Sequence, residues 1–226
     1  MKWTGNLGNL LDVFLQPQCP ICERPAAGEL CLDCKRQLRR CQFIDHNRFW
    51  HPPLPVFAWG EYGGALKRLL VALKYNNKPQ LAYLLGKELA QSWLAASLEF
   101  NPKITTALTV VPIPLHASKQ KQRGYNQAEL IAKAFCQGTG LQLQAGGLIR
   151  SRNTEAQFGL NPEARSSNLA DAFQIGKDFL RLSQPRAILI VDDIYTTGTT
   201  ARSAAATLRR HQISVIGVVA VAKAGK

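Results

Sequence analysis

The sequence lacks any apolar run long enough to cross a lipid bilayer. The longest such run lies at residues 215–222, whereas a membrane-spanning helix needs about 20 apolar residues. The N-terminal sequence MKWTGNLGNLLDVFL also lacks the uninterrupted apolar segment and the small-residue cleavage site of a secretory signal peptide. We therefore expect a cytoplasmic protein that does not insert into a membrane. Transient binding to a membrane-bound partner is compatible with this expectation.

Acidic residues are scarce relative to basic ones. The 226 residues include 15 Asp and Glu against 28 Lys and Arg, for a net charge of +13. Such a surplus attracts nucleic acid, anionic lipid or phosphorylated ligands, and it does not choose among them. With 46% hydrophobic and 19% charged residues, the composition excludes an intrinsically disordered chain. The length allows one full domain and a small module.

Four of the six cysteines form two Cys-x2-Cys pairs, a pattern typical of a metal site in a cytosolic chain. Cys19 and Cys22 are separated from Cys31 and Cys34 by eight residues. Each pair directs two thiolates at one ion, and two pairs complete a tetrahedral site suited to zinc. Four sulfur ligands leave no open coordination position, so the zinc is expected to be structural and to stabilise a segment too small for its own core.

Other residues of the N-terminal part have two interpretations each. A basic cluster after the second cysteine pair is either a solvated face or a nucleic-acid contact; it comprises Lys35, Arg36, Arg39 and Arg40. Several aromatic residues either stack on bases or pack in the core; they are Trp50, Trp59, Tyr62 and Tyr75. The remaining cysteines are expected to be ordinary packed thiols; these are Cys41 and Cys136.

The most informative stretch of the chain is AILIVDDIYTTGTTARSAAATLRR, residues 187–210. Residues 187–191 are all apolar, which predicts a strand covered on both faces in a parallel sheet. Small hydroxylated residues follow around a glycine that can take positive φ, and a helix is predicted over residues 200–211. A loop of this kind at a helix N-terminus turns backbone N–H groups towards an anion, most naturally a phosphate. The loop comprises Thr196, Thr197, Gly198, Thr199 and Thr200.

Two carboxylates lie between this strand and the loop. Asp192 and Asp193 take the position at which open α/β sheets bind ligands. Carboxylates do not bind phosphate, so the pair needs hydroxyl groups or a divalent cation. A sugar phosphate meets both demands, with ribose hydroxyls on the carboxylates and the 5′-phosphate in the loop. A purely structural strand–loop–helix connection is the alternative; a receiver domain of a response regulator is excluded because too few residues follow Asp193.

The segment VDDIYTTGTT resembles the motif that binds 5-phosphoribosyl 1-diphosphate (PRPP) in type I phosphoribosyltransferases. The whole chain resembles the ComF (ComFC/GntX) family of competence-associated proteins. That resemblance also rests on the four-cysteine finger, on RGYNQ at residues 123–127, and on an aromatic-Gly-x-Leu pattern that runs from Tyr62 to Lys74. It implies an α/β fold with a type I phosphoribosyltransferase-like parallel-sheet domain at residues 52–226, preceded by a helix and zinc-finger module at residues 1–51.

The resemblance further implies a site for PRPP with Mg²⁺. The segment VPIPLH is similar to the loop that holds diphosphate, which needs cations and N–H donors. Residues 150–168 correspond to a loop that closes over substrate and excludes water, or else form a plain connection. The implied catalytic residues are Asp192, Asp193 and Arg152. The implied PRPP-binding residues are Asp192, Asp193, Thr196, Thr197, Gly198, Thr199, Thr200, Pro114, His116, Arg123 and Lys74, the last being solvated in an alternative interpretation.

Hydrophobic periodicity predicts the remaining elements. Strands are expected at residues 56–62, 108–114, 147–150 and 213–222, and helices at residues 7–15, 66–74, 80–100 and 127–135. The tail at residues 223–226 is expected to fray.

Three functions are compatible with these features. One is a phosphoribosyltransferase that joins an unidentified nitrogen nucleophile to the ribosyl group and releases diphosphate. The second, implied by the family resemblance, is a factor in natural transformation that handles single-stranded DNA beside a helicase-like partner. The third is salvage of nucleobases or amines. A basic groove continuous with the phosphate loop would favour the second, and a closed, aromatic-lined base pocket the third.

Overall fold

The computed structural model describes residues 17–97, 108–151, 172–180 and 187–225. The helix predicted at residues 7–15, the catalytic candidate Arg152 and most of the predicted closing loop lie outside the described residues. Within the described part, no helix is long and apolar enough to cross a membrane.

A five-stranded parallel sheet forms the centre of the fold, in the order β1-β7-β6-β2-β3. These strands are β1 (Val56–Glu61), β2 (Thr109–Pro112), β3 (Gln142–Leu143), β6 (Ile188–Tyr195) and β7 (Val215–Lys223). A separate antiparallel pair consists of β4 (Leu148–Arg150) and β5 (Phe173–Ile175). The α/β class and the parallel sheet agree with the fold expected from the sequence.

Helices cover both faces of the sheet. They are α1 (Leu32–Arg39), α2 (Gly64–Tyr75), α3 (Gln80–Ser97), α4 (Ala117–Arg123), α5 (Gln127–Thr139), α6 (Lys177–Leu180) and α7 (Thr199–Arg210), and a short 3-10 helix spans His46–Phe49. Along β6, Leu189 and Val191 pack into the core beside α2, α3 and α5. Ile188 and Ile190 pack into the core beside α7. This alternation explains why the predicted strand is wholly apolar, since neither face meets water.

Strand β6 is longer than its apolar run predicts. It continues through the two acidic residues to Tyr195, because β7 pairs alongside it as far as Lys223. The carboxylates therefore lie within the strand rather than after it. The same pairing places Lys223 in a strand and not in a frayed tail.

The N-terminal segment packs against the sheet domain. Gln42 bridges to Gly60 of β1, and Arg68 of α2 donates a hydrogen bond of 2.7 Å to the side chain of Gln37 in α1. Trp50 meets Trp93 edge to face, with ring centroids 5.6 Å apart. The boundary at residue 52 between two domains remains a prediction.

Candidate functional site at the ends of two central strands

The candidate site forms where β2 and β6 end side by side. Pro112 pairs with Val191, so the loop after β2 and the two carboxylates of β6 meet at one edge of the sheet. The strand that follows β2 in the chain, β3, lies on one side of this pair, and the strand that follows β6, β7, lies on the other side. Such a reversal of strand order creates the crevice in which open α/β sheets bind ligands.

Both carboxylates are buried and differently partnered. Asp192 and Asp193 are 9% and 4% exposed. The Oδ1 atom of Asp192 accepts a hydrogen bond of 2.8 Å from the backbone N–H of Asp193. Burial, followed by the negative charge of Asp193, raises the pKa of Asp192 to about 8. The Oδ2 atom of Asp193 lies 2.7 Å from Nζ of Lys74, and these two side chains are 6% and 19% exposed.

The threonine–glycine loop leads directly into the N-terminus of α7. Gly198 adopts a left-handed conformation with φ of 75° and starts α7. The Oγ1 atoms of Thr197 and Thr199 are 2.8 Å apart, and Nη1 of Arg202 donates to the carbonyl oxygen of Thr197 over 2.8 Å. No side chain among the described residues caps α7, so the N–H donors of its first turn are available to an anion.

Two adjoining cavities extend from these elements. The acid pocket has a volume of about 250 Å³ and is lined by Tyr62, Lys74, Ile113, Leu115, Gln127, Ala128, Arg150, Asp192, Asp193, Ile194, Thr196 and Thr200. The basic cleft has a volume of about 650 Å³ and is lined by Lys74, Tyr75, Asn77, Leu115, Lys119, Lys121, Gln122, Arg123, Gly124, Tyr125 and Gln127. Three residues line both cavities: Lys74, Leu115 and Gln127.

The basic cleft concentrates positive charge beside an exposed aromatic ring. Burial, together with the charges of Arg150, Arg123 and Lys74, lowers the pKa of Lys119. Tyr75 is 73% exposed, and the guanidinium of Arg123 lies 5.7 Å from its ring centroid. No acidic residue lines the cleft within the described part of the chain. This combination of cations and an aromatic face is suited to a polyanion that carries flat rings.

The structure brings together only part of the predicted PRPP site. Five of the predicted residues line the acid pocket: Lys74, Asp192, Asp193, Thr196 and Thr200. Arg123 lines the basic cleft instead. His116 lies at the start of α4, where its Nδ1 accepts from the N–H of Ser118 and lies 2.8 Å from the Ser118 hydroxyl. Pro114 lies beside the pocket between two residues that line it, Ile113 and Leu115.

Three residues outside the predicted PRPP site have defined positions in the structure. Asn126 and Gln127 of the RGYNQ segment lie at the start of α5. Asn126 is the cap, because its side chain accepts from the N–H of Ala128 and donates to the carbonyl of Ile113. Gln127 faces both cavities, and Arg150 reaches the acid pocket because β4 bridges to His116. No spacing in the sequence signals this contact.

Some of the aromatic residues singled out in the sequence lie in the core and others line the two cavities. Trp59 is 1% exposed and belongs to the core, whereas Tyr62 lines the acid pocket and Tyr75 the basic cleft. Cys136 is buried, and burial raises the pKa of its thiol to about 12. All six cysteines are free thiols.

We predict that Asp192→Asn changes the pH dependence of stability. The pKa of Asp192 is raised on folding, so between about pH 4 and pH 8 the folded state binds a proton that the unfolded state has lost. Wild type therefore loses stability as pH rises through this interval. Asparagine still accepts from the N–H of Asp193 and carries no charge. The free energy of unfolding of Asp192→Asn should therefore increase relative to that of wild type across that interval, by up to roughly 1.4 kcal/mol per pH unit. Urea denaturation at pH 5, 7 and 9 measures the difference; a constant difference would contradict the prediction.

Candidate metal centre in the N-terminal module

The four cysteines of the predicted zinc site converge in the structure. The Sγ atoms of Cys19, Cys22, Cys31 and Cys34 all lie within 4.8 Å of one another, and those of Cys22 and Cys31 are 3.6 Å apart. Zinc–sulfur bonds of about 2.3 Å in a tetrahedron place sulfur atoms about 3.8 Å apart. The cluster therefore fits a metal such as zinc. The Mg²⁺ expected with PRPP belongs to a different site, since Mg²⁺ prefers oxygen ligands, and it remains a prediction.

An arginine supports the sulfur cluster from outside. Nε of Arg24 donates to the Sγ of Cys22 over 3.4 Å, and its Nη1 donates to Asp33 over 2.9 Å. The hydrogen bond from Arg24 lowers the pKa of Cys22 to about 6. Because metal binding needs thiolates, a positive charge held beside the sulfurs by Asp33 favours the metal-bound state.

We predict that Arg24→Ala weakens zinc binding about tenfold, since outer hydrogen bonds to metal ligands typically contribute about 10–100-fold in affinity. Arg36→Ala is the matched control. Arg36 also contacts Asp33, at 3.7 Å, and makes no hydrogen bond to a sulfur within the described residues. Competition with a chromophoric chelator measures both affinities. Equal losses for the two variants would refute a specific role for Arg24.

Comparison with known proteins

The fold and site define the class of the protein. It is an α/β protein with a parallel five-stranded sheet and an N-terminal four-cysteine cluster, consistent with the type I phosphoribosyltransferase-like fold. No family model matches the chain.

Curated relatives narrow this class. The chain is 28% identical over 205 residues to DNA utilization protein YhgH of Escherichia coli (strain K12), covering 88% of this chain and 81% of that protein. It is 28% identical over 214 residues to competence protein F of Haemophilus influenzae, covering 88% and 92%. It is 22% identical over 194 residues to competence protein ComFC of Bacillus subtilis, covering 83% and 69%. Together with the cysteine cluster, these relatives support membership of the ComF family.

Proposed function

We propose that the protein binds a PRPP-type ligand in the acid pocket and single-stranded DNA in the basic cleft, and that it acts in DNA utilization and natural transformation. The names of its relatives, which refer to competence and DNA utilization, support the general role. The observation that carries the specific proposal is that the acid pocket and the basic cleft share part of their lining, namely Lys74, Leu115 and Gln127. A sugar phosphate in the acid pocket would therefore lie next to the cations of the cleft.

The acid pocket provides partners for both ends of a ribose 5-phosphate group. Asp192 and Asp193 accept hydrogen bonds from ribose hydroxyls. The bond to Asp192 strengthens once pH exceeds its pKa of about 8, because hydrogen bonds to charged acceptors are stronger than neutral ones. Thr196 and Thr200 line the same pocket, so the first turn of α7 binds the 5′-phosphate. Lys74, at the boundary between the acid pocket and the basic cleft, and the cations of that cleft supply positive charge towards a diphosphate leaving group. Mg²⁺ would accompany that diphosphate.

The basic cleft suits a nucleic-acid strand better than a free nucleobase. A base alone has no charge for Lys119, Lys121 and Arg123 to neutralise, whereas each phosphate of a strand does. Tyr75 offers an exposed ring on which a base stacks. The cleft is not a closed aromatic pocket, which is the feature that would favour nucleobase salvage.

The four-cysteine centre has a structural role in this proposal. Four sulfur ligands leave no open position for substrate. The metal stabilises a module whose own buried hydrophobic cluster is small, comprising Cys19, Ala26 and Cys34.

Turnover of PRPP by the purified protein tests the proposal. Diphosphate release is measured with Mg²⁺ against a panel of nucleobases, amines and single-stranded DNA, alongside binding of each compound. We expect binding of PRPP and of single-stranded DNA. Efficient transfer to a free nucleobase without DNA binding would replace the proposal with salvage, and absence of both ligands would reject it.

A further inference from the structure

Lys74 occupies the boundary between the two cavities. It lies in the last turn of α2 and lines both the acid pocket and the basic cleft. Its Nζ atom is 2.7 Å from Oδ2 of Asp193, in a site where the lysine side chain is 19% exposed and the aspartate side chain 6%. The lysine thus neutralises a carboxylate that the proposed function requires as an acceptor for a sugar hydroxyl.

The turn that carries Lys74 is attached to the wall of the basic cleft. The hydroxyl of Tyr125 donates to the carbonyl oxygen of Leu73, and Arg123 lies over the ring of Tyr75. Residues on both sides of Lys74 therefore contact the C-terminal end of α4 and the residues that follow it. This attachment holds the backbone of Lys74 in place while its long side chain can turn from the acid pocket towards the cleft.

We propose that Lys74 is a positioning residue that couples the two cavities: an anion in the basic cleft draws its ammonium group away from Asp193, which then accepts a ligand hydroxyl. This inference rests on the proposed function. It adds that the two cavities bind their ligands cooperatively, and that the ion pair between Lys74 and Asp193 is the ligand-free state of the site.

The sign of the coupling follows from the cost of an unpaired buried charge. A lone anion in the cleft that takes Lys74 leaves Asp193 buried without a partner, which is unfavourable. A lone sugar phosphate in the acid pocket must compete with Lys74 for Asp193. When both ligands are bound, Lys74 pairs with the anion in the cleft and the sugar hydroxyl takes its place on Asp193. The cost of breaking the ion pair between Lys74 and Asp193 is then incurred once and not twice, so each ligand tightens binding of the other by the same factor. Without the transfer of Lys74, two neighbouring anions would repel each other and weaken each other's binding.

Calorimetry on the full-length protein tests the coupling with two simple probes. Ribose 5-phosphate is titrated at constant Mg²⁺ with and without saturating inorganic diphosphate. In wild type, diphosphate should lower the Kd of ribose 5-phosphate at least about fivefold, the lower end of typical coupling. Lys74→Met should still bind ribose 5-phosphate, but diphosphate should no longer tighten it. Lys119→Met is the matched control, expected to weaken diphosphate binding and to keep the coupling.

The outcomes separate this inference from the proposed function. Binding of both probes to wild type without tightening, or equal tightening in Lys74→Met, would overturn the coupling and leave the proposed function standing. Absence of ribose 5-phosphate binding to wild type would overturn the proposed function and the coupling with it. A measurement on wild type guards against a poorly folded variant: the carboxyl ¹³C resonance of Asp193 should shift when diphosphate alone is added, and a resonance that stays unchanged would overturn the coupling.

Discussion

The triple variant Lys119→Met, Lys121→Met, Arg123→Met should bind a single-stranded oligonucleotide about a hundredfold more weakly than wild type in 100 mM salt. Each neutralised phosphate of a single strand contributes about 0.7 to the slope of log affinity against log salt concentration. Losing three cations from the basic cleft should therefore reduce that slope by about 2. Fluorescence anisotropy of a labelled oligothymidylate over a series of salt concentrations measures both values.

A second triple variant with the same change of net charge is the control. Lys87, Lys133 and Lys177 are exposed and lie outside the cleft, so their replacement by methionine should leave most of the affinity. Equal losses for the two triple variants would mean that DNA binding depends on the overall charge and not on the cleft.

Tyr75→Ala should weaken binding of the oligonucleotide by a factor of about 5–150, the usual range for one stacked base. Tyr75→Phe should bind as tightly as wild type, because it keeps the ring.

Gly198→Ala should weaken binding of ribose 5-phosphate at least about tenfold and destabilise the protein. The residue has a φ of 75°, which costs an ordinary residue about 1–2 kcal/mol. An added Cβ would also lie 2.1 Å from the hydroxyl of Tyr195 and 2.7 Å from Nη1 of Arg202. Either the side chains of Tyr195 and Arg202 or the loop itself must move to relieve these contacts. Moving Arg202 breaks its hydrogen bond to the carbonyl oxygen of Thr197, and the N–H groups of the loop are then no longer held at the phosphate position.

Gly140→Ala separates the steric effect from backbone strain. Gly140 has nearly the same conformation, with φ of 74°, but a Cβ there meets nothing within 4 Å. It should destabilise the protein by about 1–2 kcal/mol and leave ribose 5-phosphate binding unchanged. Chemical denaturation and calorimetry measure the two quantities. If Gly198→Ala binds as well as Gly140→Ala, the loop does not hold the phosphate in the way proposed.

Features encoded in short stretches of sequence were predictable. The apolar run before Asp192 predicts a strand buried on both faces, and the spacing of four cysteines predicts their convergence. Both predictions follow from local geometry. The burial of a strand and the pairing of two thiolates in a Cys-x2-Cys segment each depend on residues only a few positions apart. The same local reasoning ended β6 too early, because its length depends on pairing with β7.

Contacts between distant segments were not predictable in this way. Lys74 was a candidate phosphate ligand, and the structure shows it paired with Asp193. His116 was a candidate diphosphate ligand, which remains a prediction, and its ring contacts Ser118 at the start of α4. Arg150 enters the acid pocket through the bridge between β4 and His116. These positions depend on how helices and strands pack, which no single motif specifies.

Calorimetric titration of PRPP with Mg²⁺ into wild type and into Asp192→Asn, Asp193→Asn tests most directly whether the acid pocket is a sugar-phosphate site. The titration is done at pH 9, above the raised pKa of Asp192, so that Asp192 is deprotonated in wild type. Hydrogen bonds to a charged partner contribute about 1.5–3 kcal/mol each, so loss of two charged acceptors should weaken binding by about a hundredfold or more. Circular dichroism checks that the variant is folded. We predict one PRPP per wild-type chain and the stated loss in the double variant; no heat with wild type, or equal affinity for both proteins, would contradict the account.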